Sequence, residues 1–338
     1  MNHNEVLALL VSEFESWKPH QTGHWQALNT GSGSNRKYFR VTAEGQSFIA
    51  CYSSDLRENE AFFYLADFYG KQDLNIPEVR HISTDRTVYF QQDLGDLSLL
   101  QQVQEIGFNE KTILLYENSL QQLHQMQTQT KHLDFSKCYP RESFDKQSIL
   151  WDLNYFKYYF LKVSGLEFDE QKLEDDFHWL ADNLSVGEQT TFMFRDFQAR
   201  NIQLHDNKVW FIDFQGGRRG PVLYDLVSLL YQASAQMPNE VKNHLSKYYF
   251  NLVNQGLGYE KTRFQSEFNQ MVLIRIVQTL GAYGFRGLIE GKPYFKASIK
   301  PALINLETHL EQGIENLKIP YFMHLLEGLV KIKDKFDQ

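Results

Sequence analysis

The sequence contains few of the residues that stabilise secreted domains or span membranes. Only two cysteines occur among its 338 residues, Cys51 and Cys138, and neither belongs to a C-x-x-C pair. This excludes a disulfide scaffold and argues against a zinc site built from cysteines. No apolar run reaches the roughly 18 residues that a bilayer-spanning helix needs. We therefore expect a cytoplasmic protein.

Positive charge is also scarce. The chain has 34 Lys and Arg against 42 Asp and Glu, which gives a net charge of −8. Nucleic-acid-binding surfaces are basic, and an acidic chain gains little from an anionic membrane. We expect neither partner. Residues 1–17 carry acids around an apolar stripe, which predicts an amphipathic surface helix and not a signal peptide.

Apolar residues make up 42% of the chain, and its length predicts about two domains or lobes. The first 90 or so residues are rich in short β-prone segments around one predicted helix, at 58–68. The predicted strands are residues 25–29, 37–43, 47–52 and 88–92. After a turn or linker at 93–96 the pattern is mostly helical. The predicted helices are 109–128, 145–163, 168–184, 222–235, 238–255, 261–289, 297–316 and 320–336.

One β-rich island interrupts the helical part. A strand at 191–194 precedes Asp196, and segments 201–204 and 209–214 are separated by turn residues, which predicts a hairpin. The open ends of an antiparallel hairpin lie side by side. Asn201 and Asp213 lie at those ends, and Asp196 is five residues upstream of Asn201. We expect the three side chains to meet at one edge.

Three such side chains suit phosphoryl transfer. Amide and carboxylate oxygens are ligands for Mg²⁺, and a further Asp can accept the proton of an attacking hydroxyl. A D-x-x-x-x-N spacing alone arises by chance in a chain of this length. The apolar segments before Asp196 and Asp213 favour function over plain surface turns, because buried strands deliver both carboxylates to one rim.

A second feature is the loop Gly31-Ser32-Gly33-Ser34-Asn35-Arg36 between two predicted strands. Glycine lets a backbone approach phosphates closely. Taken alone, the loop favours a plain hairpin turn, because it lacks the strand-to-helix context of a dinucleotide fold and the Gly-Lys-Ser/Thr of a P-loop.

Together these motifs resemble the aminoglycoside phosphotransferase family of protein-kinase-like small-molecule kinases. The likeness is strongest in the block Phe194-Arg195-Asp196 to Asn201, in Ile212-Asp213-Phe214-Gln215, and in Gly220-Pro221 with Tyr224-Asp225-Leu226. It extends to 33–41, 94–96, 144–156 and 280–283. Within the family it is closest to cell-wall kinases that phosphorylate the anomeric hydroxyl of N-acetylmuramate and N-acetylglucosamine.

The resemblance implies an α+β, two-lobed protein-kinase-like fold. A small β-rich N-lobe at 1–92 covers the nucleotide, a hinge spans 93–97, and a larger helical C-lobe at 98–338 holds the catalytic hairpin and the substrate site. ATP and Mg²⁺ would be required, and the other reactant would be a small-molecule hydroxyl substrate, an amino sugar.

The resemblance also assigns roles to individual residues. Asp196 is the expected catalytic base, and Asn201 and Asp213 the Mg²⁺ ligands. The expected ATP contacts are Gly31, Ser32, Gly33, Ser34, Arg36, Gln92 and Leu94. The expected substrate contacts are Asp152 and Tyr155. Asp225 is expected to cap the helix that begins near Leu226.

Three positions depart from the family pattern. Phe194 replaces a His, Asp152 replaces a Glu, and Cys51 stands where most kinases have a phosphate-pairing Lys, so Glu60 is expected to lack its ion-pair partner. Arg36, Lys37 or Arg40 could supply the missing positive charge.

Other acceptors remain open at this point. Residues 233–338 carry 13 Lys and Arg against 10 Asp and Glu. This excess of three positive charges favours a neutral or anionic sugar over a cationic aminoglycoside. Clustered tyrosines neither support nor exclude a choline-like substrate. A nucleotide-binding pseudokinase scaffold is the non-enzymatic alternative, and Cys51 is its best evidence.

Overall fold

The computed structural model describes residues 2–28, 36–184, 190–314 and 317–337. The chain begins with helix α1 (His3–Trp17), which is capped at Asn2, and continues into a five-stranded antiparallel sheet. The sheet order is β1-β2-β3-β5-β4. Its strands are β1 (His24–Leu28), β2 (Lys37–Ala43), β3 (Gln46–Tyr52), β4 (Val79–Ile82) and β5 (Val88–Gln92). The four predicted strands are confirmed within one residue at each end, and β4 is additional.

The two faces of this sheet have different partners because side chains alternate along a strand. On one face, α1 buries Val6, Leu10 and Phe14 against a cluster that includes Ala50. The neighbouring Cys51 points to the other face, where helix α2 (Leu56–Gly70) packs. Cys51 and α2 therefore lie on the side of the sheet that joins the main core.

The rest of the described chain is mainly helical. Its first three helices are α3 (Leu99–Ile106), α4 (Glu110–Thr128) and α5 (Lys146–Phe156), and α5 continues through a π turn into α6 (Lys162–Ser164). The others are α7 (Glu170–Asn183), α8 (Leu223–Leu230), α9 (Asn239–Leu257), α10 (Lys261–Tyr283), α11 (Pro293–Ala297), α12 (Ile299–Glu311) and α13 (Pro320–Lys331). The predicted helix 222–235 ends at Leu230.

Helix α10 is the centre of this part and packs along α5. A methyl group on Gly281 would lie 2.9 Å from the backbone nitrogen of Phe156, and one on Gly284 would overlap the carbonyl of Tyr159. The glycines therefore permit close helix contact. By length and composition, Lys261–Ile289 could cross a membrane, but 67% of its apolar window is buried inside the protein, as in a core helix.

Two small β elements lie within the helical part. Strand β6 (Thr190–Met193) pairs with β9 (Arg218–Pro221), a pairing the sequence did not predict. Strands β7 (Ile202–His205) and β8 (Lys208–Phe211) form the predicted hairpin. Its turn residues, Asp206 and Asn207, both have positive φ, which Asp and Asn tolerate best after glycine.

The hairpin is anchored on two sides. The backbone nitrogen of Leu204 donates to the carbonyl of Leu97, 2.8 Å away, just after the linker. The nitrogen of Phe211 donates to the carbonyl of Asn75, at 2.9 Å, in the segment that follows α2. The hairpin is therefore fixed against both the linker and the sheet-containing part.

Candidate active site

Asp196, Asn201 and Asp213 meet at the open end of the β7–β8 hairpin. The Asn201 amide nitrogen donates to the Asp196 carbonyl oxygen at 2.8 Å and lies 3.4 Å from Asp213 Oδ2. The backbone nitrogen of Ile212 donates to the Asn201 carbonyl at 3.0 Å, which closes the hairpin end. The structure thus brings the predicted base next to both predicted metal ligands.

Asp213 lies beyond strand β8, which ends at Phe211, three residues earlier than predicted. Its φ is +69°, so the backbone turns out of the strand here and carries the carboxylate toward Asn201. Gln215 Nε2 donates to Asp213 Oδ1 at 2.8 Å. Phe214, which follows Asp213 in the chain, stacks on Phe62 of α2 with ring centroids 5.2 Å apart. This contact ties Asp213 to the helix that packs beneath the sheet.

Asp225 holds the segment that leads into Asp196. Its carboxylate accepts hydrogen bonds from the backbone nitrogens of Phe194 at 2.6 Å and Arg195 at 2.9 Å. Arg195 has φ +82°, and the two bonds support this left-handed conformation. The expectation that Asp225 caps the helix is wrong, because α8 begins at Leu223 and Asp225 lies inside its first turn, pointing to the catalytic segment.

The Asp196 carboxylate is ionised at neutral pH. Burial favours its protonated form, but the charges of Arg275, Arg195 and Arg200 outweigh burial and hold the pKa below its usual value. Arg275 Nη2 lies 3.2 Å from Asp196 Oδ1. The Asp196 side chain is 43% exposed, so it remains accessible to a reactant.

A buried cation occupies the sheet side of the site. Arg36 is 7% exposed; its Nε lies 3.4 Å from Glu58 of α2, and its Nη1 donates to the Tyr89 hydroxyl at 3.4 Å. Cys51 is buried nearby, and burial raises its pKa to about 11, so it is an uncharged thiol. Burial also raises the pKa of Tyr38, and the Asp213 charge acts in the same direction.

The ion pair of α2 differs from the one expected. Glu60 is exposed and pairs with Arg86, so it does not lack a partner. Glu58, two residues earlier, faces the site through Arg36. Of the other two candidate cations, Arg40 is bound by Asp93 and Asp96 in the linker, at 2.6 and 2.7 Å.

The remaining predicted nucleotide contacts differ in their burial and hydrogen bonding. Gln92 ends β5, and its backbone nitrogen already donates to the Glu78 carbonyl at 2.9 Å. Leu94 is 5% exposed, and its backbone nitrogen makes no hydrogen bond with any part of the chain that the structure describes. Gly31, Ser32, Gly33 and Ser34 lie outside the described residues.

Asp152 and Tyr155 both lie on α5 but have different surroundings. Asp152 accepts two hydrogen bonds from Arg195 Nη2, at 2.7 and 2.9 Å, so it is linked to the catalytic segment. Tyr155 packs against Tyr159 and Phe285, with ring centroids 4.7 and 6.0 Å away. Their predicted contact with substrate stays a prediction.

Sequence reasoning did not find two residues of this site. Arg275 was not singled out, although a lone charge inside the apolar run 271–280 was a usable signal. Tyr224 was recognised only as part of a motif. Its hydroxyl accepts hydrogen bonds from Arg195 at 2.6 Å and from Arg275 at 3.3 Å.

A groove of about 840 Å³ lies outside this site. It lies between the end of α2, β4 and the β7–β8 hairpin, and its walls include Ile76, His81 and Trp210. Gln92 contributes to it, but Asp196, Asn201 and Asp213 do not.

Comparisons with known proteins identify the family of this chain. Residues 25–264 match the phosphotransferase enzyme family. The chain belongs to this family. It is 26% identical over 280 residues, 80% of each chain, to the N-acetylmuramate/N-acetylglucosamine kinase of Neisseria meningitidis serogroup B. The chain is thus a small-molecule phosphotransferase of an ATP-using kinase family, as predicted.

Solved structures confirm the predicted two-lobed kinase-like fold. Choline kinase LicA from Streptococcus pneumoniae superposes with a TM-score of 0.62 at 11% identity, over 91% of this chain and 100% of that one. The streptomycin–ATP–APH(2″)-IIa ternary complex gives 0.61 at 16% identity, over 87% and 96%.

Proposed function

We propose that this protein, with Mg²⁺, transfers the γ-phosphoryl group of ATP to the anomeric hydroxyl of an amino sugar. The observation that carries the proposal is the meeting of Asn201 and Asp213 beside Asp196 at one hairpin end. The relative that acts on N-acetylmuramate and N-acetylglucosamine, by its name, supports the choice of acceptor.

The residues at the rim fit a magnesium nucleotide. The Asn201 amide nitrogen lies 3.4 Å from Asp213 Oδ2, so the two side chains are neighbours, and each bears an oxygen of the kind Mg²⁺ prefers. Asn201 and Asp213 would hold the ion, which when bound neutralises phosphate charge. Arg36 would add positive charge from the sheet side, and the Leu94 amide is available to the adenine edge.

Asp196 is the base in this proposal. Because it is ionised at neutral pH, it can accept the hydrogen bond of the acceptor hydroxyl and orient its oxygen for attack on phosphorus. The proton of the acceptor hydroxyl then passes to the Asp196 carboxylate as the new O–P bond forms, while the bond between the γ-phosphorus and the β–γ bridging oxygen breaks and ADP leaves. No covalent intermediate on the protein is needed.

The charges around the base favour a neutral or anionic acceptor. Arg195, Arg200 and Arg275 all act on Asp196, and a cationic aminoglycoside or choline would meet their repulsion. Asp152 compensates Arg195 through its bidentate pair, so its own contact with a sugar would be shared with that arginine. Tyr155 would offer an aromatic surface.

We also propose the lobe boundaries at 92/93 and 97/98, with 93–97 as the hinge. Arg40 ties the linker to β2 through Asp93 and Asp96, and these bonds limit how the linker can bend. Lobe closure over ATP would exclude water and limit wasteful hydrolysis. We place the enzyme in the cytoplasm.

A substrate panel tests the proposal. The protein is incubated with ATP, Mg²⁺ and N-acetylmuramate, N-acetylglucosamine, choline or gentamicin, and products are followed by ³¹P NMR. We expect an anomeric sugar phosphate with one or both sugars and none with the two cations.

Two variants make this panel specific. Asp196→Asn should abolish product, whereas Asp206→Asn, an exposed turn residue of the same hairpin, should not. Phosphate transfer to choline or gentamicin alone would refute the amino-sugar assignment. No transfer to any acceptor, with ATP still bound, would support the pseudokinase alternative.

A further inference from the structure

We propose that Arg275 is a positioning residue for catalysis, which fixes one carboxylate oxygen of Asp196 so that the other faces the acceptor. This inference rests on the proposed role of Asp196 as the base. Arg275 lies on α10, 79 positions away in the chain, and no motif of the catalytic block includes it.

Burial makes this arginine depend on its partners. Arg275 is 2% exposed, and its neighbours Ile274 and Ile276 are each 1% exposed. A guanidinium in such surroundings is costly unless it is paired and hydrogen-bonded. Asp196 is its carboxylate partner, at 3.2 Å.

The orientation of the guanidinium is fixed by two neutral groups. Its Nη1 donates to Gln278 Oε1 at 2.7 Å and to the Tyr224 hydroxyl at 3.3 Å. The guanidinium carbon also lies 5.5 Å from the centre of the Tyr224 ring. Because the guanidinium is planar, fixing Nη1 also fixes the direction of Nη2 toward Asp196.

The same tyrosine connects both sides of the catalytic segment. Arg195 Nη1 donates to the Tyr224 hydroxyl at 2.6 Å, and Arg195 is itself held by Asp152. The base is therefore flanked by two arginines that share one hydroxyl acceptor. Asp225, next to Tyr224, fixes the backbone of the same segment.

This arrangement leaves one carboxylate oxygen for the reaction. Arg275 contacts Oδ1 of Asp196, whereas Oδ2 has no hydrogen-bond partner in the described ranges 2–28, 36–184, 190–314 and 317–337. With 43% of the side chain exposed, Oδ2 can receive the acceptor hydroxyl. Arg275 would thus fix the direction in which the base faces the acceptor.

The kinetic test compares Arg275→Met with Arg275→Lys in steady-state kinetics at saturating ATP. Loss of the guanidinium leaves the Asp196 carboxylate free to turn away from the acceptor, so kcat should fall by about 10–100-fold in the Met variant. The Lys variant should recover part of this loss, because it keeps a cation at this position. The KM for ATP should change little in both variants.

A second measurement does not depend on activity. The Arg275–Asp196 coupling is obtained from a double-mutant cycle of urea unfolding with Arg275→Met and Asp196→Asn. We expect a clear coupling at pH 7. Arg263→Met is the matched control: it lies on the same helix and pairs with Glu267, and it should show no coupling to Asp196.

The outcomes are distinct. A kcat equal to that of the wild type in Arg275→Met, or a coupling no larger than that of Arg263→Met, would overturn the inference and leave Arg275 as a core residue. If no acceptor is phosphorylated, the proposed function fails. The unfolding cycle still decides whether Arg275 holds Asp196.

Discussion

The two sides of the cleft hold their charged groups in different ways. On the C-lobe side, Asp196, Asn201 and Asp213 match the family pattern, although Phe194 and Asp152 near them depart from it. On the N-lobe side, Cys51 replaces the usual lysine, and the buried cation is Arg36, paired with Glu58. A positive charge near phosphate can come from any element whose side chain reaches it. The carboxylate and amide side chains on the other side must instead extend from particular turns of the backbone.

The physical reason lies in how each side is held. The turns at Arg195 and Asp213 have positive φ, and Asp225 binds the backbone beside the first of them. Such conformations persist only where the surroundings impose them. Arg36, by contrast, needs only a partner carboxylate, an aromatic face and a long side chain to reach the same place.

The largest expected effect is on the C-lobe side. Asp196→Asn should lower kcat by about 10²–10⁴-fold, because it removes the base and keeps the shape of the side chain. ATP affinity should remain close to that of the wild type, since Asp196 is not assigned to the nucleotide. Steady-state kinetics with calorimetric ATP titration check both. A large loss of ATP affinity with normal kcat would mean that the roles of Asp196 and Asp213 are reversed.

The N-lobe side should give a smaller effect. Arg36→Met should raise the KM for ATP by about 10–100-fold if its charge-assisted contacts reach the phosphates. Arg36→Lys should recover part of this loss, and Glu58→Gln should raise the KM less. Arg40→Met is the control, because Arg40 is engaged by the linker carboxylates. Equal KM values for Arg36→Met and wild type would leave the phosphates to the metal and other groups.

The smallest expected effect concerns Asp225 and stability. Burial raises its pKa to about 7, although two backbone donors act against this, so the folded state takes up a proton that the unfolded state does not bind above about pH 4. Its contribution to stability is therefore present at low pH and is lost as the pH rises toward 7. The slope is about 1.4 kcal/mol per pH unit.

The variant Asp225→Asn lacks this titration. The difference in unfolding free energy between wild type and Asp225→Asn should grow as the pH falls from 7 to 5, measured by urea unfolding. A difference that does not change with pH would show that the two backbone donors keep Asp225 ionised in the folded protein.

Much of this molecule could be predicted from its sequence. Strand β2 has the predicted bounds, and the helical periods identified α4, α7 and α9 within two residues, because their apolar patterns are regular. The hairpin turn at Asp206-Asn207 was predictable from turn chemistry alone. The rim of Asp196, Asn201 and Asp213 followed from the hairpin geometry.

Other features could not be predicted because they depend on long-range contacts. The pairing of β6 with β9 joins segments separated by the whole hairpin, and neither strand has a strong local pattern. The role of Asp225 and the Arg275–Asp196 pair arise where α8 and α10 pack against the catalytic segment. Either Glu58 or Glu60 of α2 could face the site, depending on the rotation of that helix about its axis. The apolar pattern of so short a helix does not determine this rotation.

The central claim is that Asn201 and Asp213 hold the metal of a bound nucleotide beside Asp196. The most direct measurement is calorimetric titration with ATP, with and without Mg²⁺, of the wild type, Asn201→Ala, Asp213→Ala and the exposed hairpin control Asp206→Ala. We predict that Mg²⁺ strengthens ATP binding in the wild type and in Asp206→Ala, and that Asp213→Ala loses most of this gain. Retention of the full Mg²⁺ dependence in both Asn201→Ala and Asp213→Ala would contradict the account.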